Sequence, residues 1–161
     1  LKQYAEDFSL TENESLMLIG NAGLGKTHAA LAIAGLVLEQ GHDVIYVSSP
    51  DFFGKIEASR FDPSGDADTL LRTASTADLL ILDDLGTEFV TPYFITVFYS
   101  LLNNRLGAGL PTIITTNYSG DELIRRMTPA TDDGYTAAKT IDRLREMCAG
   151  IEMTWESWRL R

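Results

Sequence analysis

The chain has 161 residues, 45% apolar and 22% charged, with 13 lysines and arginines against 23 acids and a net charge of −10. That length suits one domain with a buried core, and the acidic balance excludes a protein that coats nucleic acid through general basic charge. No apolar run reaches the roughly 20 residues of a membrane span, no secretory leader is visible, and the single cysteine, Cys148, excludes a disulfide framework or a cysteine zinc cluster. A reducing, cytoplasmic setting is the expectation from that cysteine count. The first residue is Leu1 rather than Met, so the expectation is one core domain, residues 1–161, taken from a longer protein.

In chain order, "SLMLIG" reads as a short buried strand, and "THAALAIAGLVLEQG" as a helix with apolar residues at helical spacing, stopped by Gly41. Between them lies "GNAGLGKT", Gly20 to Thr27, which matches the phosphate-binding P-loop pattern. Glycines this close cost chain entropy without a reason to keep them. A strand before them and a helix after them is the context the motif requires. The bland alternative, a flexible glycine turn, competes poorly with that context.

"HDVIYVS" follows as a second strand, then "SPDFFGKIEASRF" as a helix with Ser49 as its cap and Pro50 in its first turn. "FDPSGDADT" is a loop running into a short helix continued by "LLRTAST". "DLLILDD" is an apolar run ending in acids, as in a strand buried on both faces. "TPYFITVFYSLLNNRLGAG" is an amphipathic helix closed by glycines, and "PTIITTN" another buried strand. "SGDELIRRM" starts a helix, "TPATDDGYT" is an irregular insert, "AAKTIDRLREMC" a helix and "GIEMTW" a last strand. Strands alternating with helices imply a parallel α/β sheet covered on both faces.

Ligands of such sheets bind at the carboxyl ends of the strands. Backbone N–H groups from Asn21, Ala22, Gly23, Leu24 and Gly25 to Lys26 would cradle a β-phosphate at the helix N-terminus. Lys26 reaches the β- and γ-phosphates, and the Thr27 hydroxyl binds Mg2+. Asp83 joins that Mg2+ shell, and Asp84 can orient or deprotonate an attacking water. Read alone, the two acids are a polar strand end before a turn. Asn117 ends the third strand, where its amide could sense a γ-phosphate or simply begin the turn "NYSG". His28 follows the loop in the first helical turn and is grouped with the nucleotide-binding run by position, without a catalytic role. Phe52, Phe53, Tyr93 and Phe94 read as core and interface aromatics rather than base-stacking platforms.

Charge is uneven along the chain. Residues 1–120 carry six bases against 15 acids, whereas residues 121–161 carry seven against eight. Anions are therefore recruited locally, through the P-loop and the C-terminal arginines.

"YAEDF", "GNAGLGKTHAALAIA", "DLLILDDLGTEF", "PTIITTN" and "DRLREMC" together resemble the AAA+ ATPase domain of DnaC/DnaI-type bacterial helicase loaders. The resemblance covers nearly the whole chain. It implies a five-stranded sheet in the order 5-1-4-3-2, ATP or ADP with Mg2+ as ligands, and slow hydrolysis in the service of DNA replication. It also implies a replicative helicase and single-stranded DNA as partners. Asn117 takes the sensor role, and Arg143 matches the arginine finger that reaches a neighbouring subunit's ATP on self-association. Arg159 aligns loosely with a second sensor arginine. The chain ends too soon after "GIEMTW" for a full helical lid, and Asp84 stands where many AAA+ proteins carry glutamate. IstB-like transposition helpers share this core and are the alternative; a small-molecule P-loop kinase is a more distant one, without a visible arginine-bearing lid.

Overall fold

The structure is a computed structural model that describes residues 1–10, 14–61, 66–129 and 134–154. In chain order the elements are α1 (Lys2–Glu6), β1 (Ser15–Ile19), α2 (Lys26–Glu39), β2 (Val44–Ser48), α3 (Ser49–Ala58) and α4 (Asp66–Thr76). They continue as β3 (Leu79–Leu85), α5 (Pro92–Ala108), β4 (Thr112–Thr116), α6 (Gly120–Met127), α7 (Tyr135–Met147) and β5 (Cys148–Glu152). The strands form one sheet in the order β2-β3-β4-β1-β5, and every neighbouring pair is parallel. Read from the other edge, this is the expected 5-1-4-3-2 order.

Strand alternation sorts the core into two layers. Leu79 and Ile81 of β3 face one layer with Leu16, Leu18, Ile33, Val37 and Ile113, beneath α1 and α2. Leu80 and Leu82 face the other with Phe53, Phe98, Ile114 and Leu144, beneath α3, α5 and α7. Burying each such aliphatic side chain contributes roughly 1.5–3 kcal/mol, so a central strand apolar on both faces anchors both layers. Phe52, Phe53 and Phe94 are buried, as expected.

Several boundaries differ from the sequence reading. The α3 cap is Ser48, and Ser49 is the first helical residue, with a buried hydroxyl. That helix stops at Ala58, short of Phe61. Cys148 opens β5 instead of closing α7. It is half-buried, and burial pushes its thiol up to about 12. α1 was missed altogether: five residues are too few to show a period, and α1 is held from outside, by Gln40 Nε2 donating to Ala5 O at 2.6 Å.

At the amino end of the sheet, Arg105 of α5 is fully buried. Its guanidinium donates to Thr112 Oγ1 (2.8 Å), Ala74 O (2.8 Å), Ala77 O (2.8 Å) and Pro111 O (2.6 Å), tying α4, α5 and the start of β4 together. Burial lowers its pKa to about 10, so it remains charged at neutral pH.

Candidate nucleotide site

The loop between β1 and α2 ends at Gly25, which caps the helix at φ 87°, a left-handed conformation that favours glycine. A Cβ at Gly25 would meet open space, so the backbone dihedral, not crowding, demands the glycine there. Lys26 begins α2 with only 5% of its surface exposed. Its ammonium donates to Gly20 O (2.7 Å), Asn21 O (3.0 Å) and Asn117 Oδ1 (2.7 Å). The expected phosphate lysine and the expected sensor amide, 91 positions apart, are therefore in contact. His28 is exposed in the first turn of α2.

Asp83 lies in a cradle of hydroxyls. Thr27 Oγ1 sits 3.0 Å from both carboxylate oxygens. Thr115 Oγ1 donates to Oδ1 at 2.6 Å, and Tyr46 OH donates to Oδ2 at 2.8 Å. Tyr46 is 41% exposed, yet desolvation of its hydroxyl end, then the Asp83 bond and the Asp83 and Asp84 charges, pushes its pKa up to about 12. It therefore stays a donor at any physiological pH. Thr27 and Asp83 together fit Mg2+, a hard cation that takes oxygen ligands and keeps phosphate and water in its shell. Among the described residues no cluster of three or more His, Cys, Asp or Glu would hold a metal on its own. A cation here would thus share its shell with a nucleotide's oxygens.

The second acid depends on a break in the sheet. β3 pairs with β4 in register from Leu80 to Leu82, then resumes at Leu85 opposite Thr116, leaving Asp83 and Asp84 across from Thr115 alone. This is a bulge of one residue. Strict alternation would drive Asp84 into the layer occupied by Leu80 and Leu82. Instead Asp84 turns out to solvent at φ 61°, the one positive φ outside glycine among the described residues, and Leu85 takes the buried place. Left-handed backbone at a residue with a Cβ costs about 1 kcal/mol or more. The bulge is pinned by its surroundings: Asp84 N–H donates to Thr115 Oγ1 at 2.9 Å, and Thr87 Oγ1 donates to Asp84 O at 2.8 Å.

Arg143 stands apart from this cluster. It is half-buried on α7, paired with Glu146 and hydrogen-bonded to Tyr99 of α5, which raise its pKa, while its Nε is buried without a partner. Arg159 lies outside the described residues. Sequence reasoning missed Tyr46 and Thr115, whose roles arise from strand neighbours. It also missed a surface beside the β3–α5 loop, where Phe89 is 90% and Phe61 87% exposed and Arg60 lies over the rings of Phe61 and Tyr93.

The chain matches the family described as IstB-like ATP binding protein over residues 4–161 and belongs to it. The replicative helicase loader DnaI of Bacillus subtilis (strain 168) is 30% identical over 166 residues, 98% of this chain and 53% of DnaI. The replicative helicase loader DnaC of Escherichia coli (strain K12) is 24% identical over 161 residues, 99% of this chain and 62% of DnaC. The crystal structure of the DnaI superposes with a TM-score of 0.80 at 26% identity, over 97% of this chain and 79% of that one. The chain therefore spans between half and two thirds of the length of these curated relatives. Its fold is that of the AAA+ P-loop domains. No helix among the described residues is long and apolar enough to cross a membrane.

Proposed function

We propose that this member of the IstB-like ATP binding family is an ATP-driven switch of the helicase-loader kind. It binds ATP with Mg2+, hydrolyses it slowly, and within its full-length protein helps place a replicative helicase on single-stranded DNA. The observation that carries the reading is the contact net joining three strand ends, in which Lys26 touches Asn117 and Thr27 touches Asp83. Those contacts are the ones a triphosphate would exchange for its own oxygens. Lys26 would leave Gly20 O and Asn21 O for the β- and γ-phosphates, and the loop backbone would meet the β-phosphate at the positive end of α2. Thr27 and Asp83 would hold Mg2+, which when bound offsets phosphate charge. Asp84, exposed on its bulge, orients the attacking water and takes up its proton. Asn117 reads the γ-phosphate once Lys26 has turned to it. Aspartate is one methylene shorter than glutamate, which suits a slow timer.

Single-stranded DNA is the nucleic-acid partner in this reading. Exposed Phe61 and Phe89 with Arg60 offer rings and a cation of the kind that stack and hold unpaired bases. With a net charge of −10, binding by the isolated chain is weak and steeply salt-dependent. Arg143 acts in trans: self-association frees it from Glu146 to meet a neighbour's γ-phosphate. Relatives described as insertion-sequence ATP-binding proteins, 27% and 25% identical, support a second reading, an ATPase that assists a transposase.

The deciding measurement is ATP turnover by the full-length protein, with single-stranded DNA and either a replicative helicase or a transposase from the same genome. Stimulation by DNA with the helicase is the expected result; response to the transposase alone moves the protein to the second reading. Mixing Arg143→Ala with Lys26→Ala should restore turnover that each lacks alone. Failure to do so in demonstrated mixed oligomers removes the trans role.

A further inference from the structure

The β3–α5 loop carries a buried carboxyl that the hydrolysis scheme does not use. Glu88 lies four residues past Asp84 and folds back over the loop, where its Oε2 accepts the Gly86 N–H at 2.8 Å. Its other oxygen, Oε1, is buried without a hydrogen-bond partner of good geometry. So is the Ser49 hydroxyl, which lies near enough to favour the charged carboxylate. Buried polar atoms without partners are uncommon in folded proteins and ask for an explanation. The Gly86 carbonyl is held too, by Arg126 Nε of α6 at 2.7 Å, and the Arg126 guanidinium lies 4.1 Å from the centre of the Tyr118 ring. Gly86 itself has φ 99°, and a Cβ there would come within 2.7 Å of Tyr118 and 2.8 Å of Leu123. Both polar groups of one glycine are thus gripped by side chains, two positions beyond a residue in left-handed conformation.

We propose that Glu88 is a positioning residue for Asp84, acting through Gly86, with Arg126 gripping the same glycine from α6. Thr115 and Thr116 hold Asp84 N–H and Leu85 O from the β4 side, whereas Thr87, which holds Asp84 O, belongs to the loop itself and moves with it. The Gly86 grip supplies the second fixed point, and through Tyr118, the neighbour of Asn117, it ties the water-orienting acid to the phosphate-sensing amide. The inference rests on the reading of Asp84 as the residue that orients the water. In this reading Glu88 contacts neither the nucleotide nor the attacking water. Its loss should therefore lower kcat and leave ATP affinity unchanged, because an acid misplaced by about an ångström costs up to about a hundredfold in rate.

The test compares Glu88→Leu, which fills the space but cannot accept the Gly86 N–H, with Glu88→Gln, which can. In the nucleotide-free chain, amide exchange read by NMR should quicken about tenfold or more at Asp84 and Gly86 in Glu88→Leu. It should stay near wild type in Glu88→Gln and be unchanged at Leu80 to Leu82 in both. With ATP, Glu88→Leu should lose roughly ten- to a hundredfold in kcat at constant KM, and Glu88→Gln should keep most of it. Should Glu88→Leu fail to fold, Arg126→Met carries the test from the other side, since that side chain is exposed and the replacement still covers Tyr118. Wild-type exchange and kcat in the folded Leu or Met variant, beside an inactive Asp84→Asn, overturn the inference and leave the reading of Asp84 intact. An Asp84→Asn variant that turns over like wild type overturns both.

Discussion

The two ends of the sheet treat buried polar groups in opposite ways. At the amino end Arg105 is sealed from solvent, and four acceptors from two neighbouring segments, at Ala74 and Ala77 and at Pro111 and Thr112, use its donors. At the carboxyl end Lys26 and Asp83 are nearly as buried, at 5% each, but their partners are backbone carbonyls, an amide and hydroxyls that a nucleotide and its cation can replace. One arrangement has no better state to move to. The other, on the proposed reading, is a resting state. On that reading, burial of charge serves stability at one end of this molecule and nucleotide binding at the other, and the nature of the partners tells them apart.

The comparison breaks most sharply at Arg105. Replacing it by methionine leaves Thr112 and three carbonyls without their donor, and should cost about 3–5 kcal/mol in urea unfolding. Nucleotide affinity of the folded fraction should not change; a parallel loss of affinity would mean that the two ends are coupled. Asp84→Asn is the converse case, expected to lower hydrolysis by about a hundredfold or more with melting temperature and ATP affinity kept. Lys26→Ala should weaken ATP binding in calorimetric titration by more than about tenfold, through loss of a charge-assisted contact. Equal affinity in the folded variant would remove the phosphate-site assignment.

Smaller effects sharpen the contrast. Tyr46→Phe removes one donor to Asp83, worth about 1 kcal/mol, and should raise the Mg2+ concentration needed for half-maximal ATP binding several-fold without altering binding in EDTA. An unchanged Mg2+ requirement would show that Thr27 and Thr115 fix the carboxylate without Tyr46. The smallest effect is a pH dependence. Burial raises the Glu88 pKa, with Ser49, backbone N–H groups and Arg126 opposing it. The folded state then binds that proton more tightly than the unfolded chain. Its contribution to stability is fully present below the ordinary glutamate value of about 4.3 and is lost as pH rises through the raised folded value. Relative to Glu88→Gln, the wild type should therefore lose stability across that window in denaturant titrations. A difference of the opposite sign would mean that the carboxylate is stabilised in the fold.

The P-loop was legible because it is local. A left-handed turn favours glycine, and a helix must start after it, so spacing alone announces Gly20 to Thr27. The strands were legible for a similar reason, since β3 is apolar on both faces and Leu79 to Leu82 are fully buried. The sequence reading failed where one element answers to another. Helix α1 exists because Ala5 and Phe8 pack onto α2. Ser49 does not cap its helix because the helix begins one residue earlier, with Ser49 already turned inward. A threonine pair at the end of the apolar run "IITT" was the visible trace of Thr115, while nothing near Tyr46 or Glu88 foretold their partners.

By itself the sequence determined that a glycine loop of the P-loop pattern would follow the first strand and open a helix, because glycine dihedrals and apolar periodicity are properties of short stretches of chain. It determined too that two adjacent acids would stand near the carboxyl end of β3, although the strand itself runs on to Leu85. Only the tertiary structure decided how those acids divide. In a lone strand adjacent side chains point to opposite faces, which would send Asp84 toward the layer around Phe53 and Phe98. The bulge forms because Leu85 gains from that layer what Asp84 would lose there, and because Thr115, Gly86 and Glu88 hold the displaced backbone in place. That balance between burying leucine and keeping a carboxylate in water is struck between strands and has no counterpart within the stretch "LDDL".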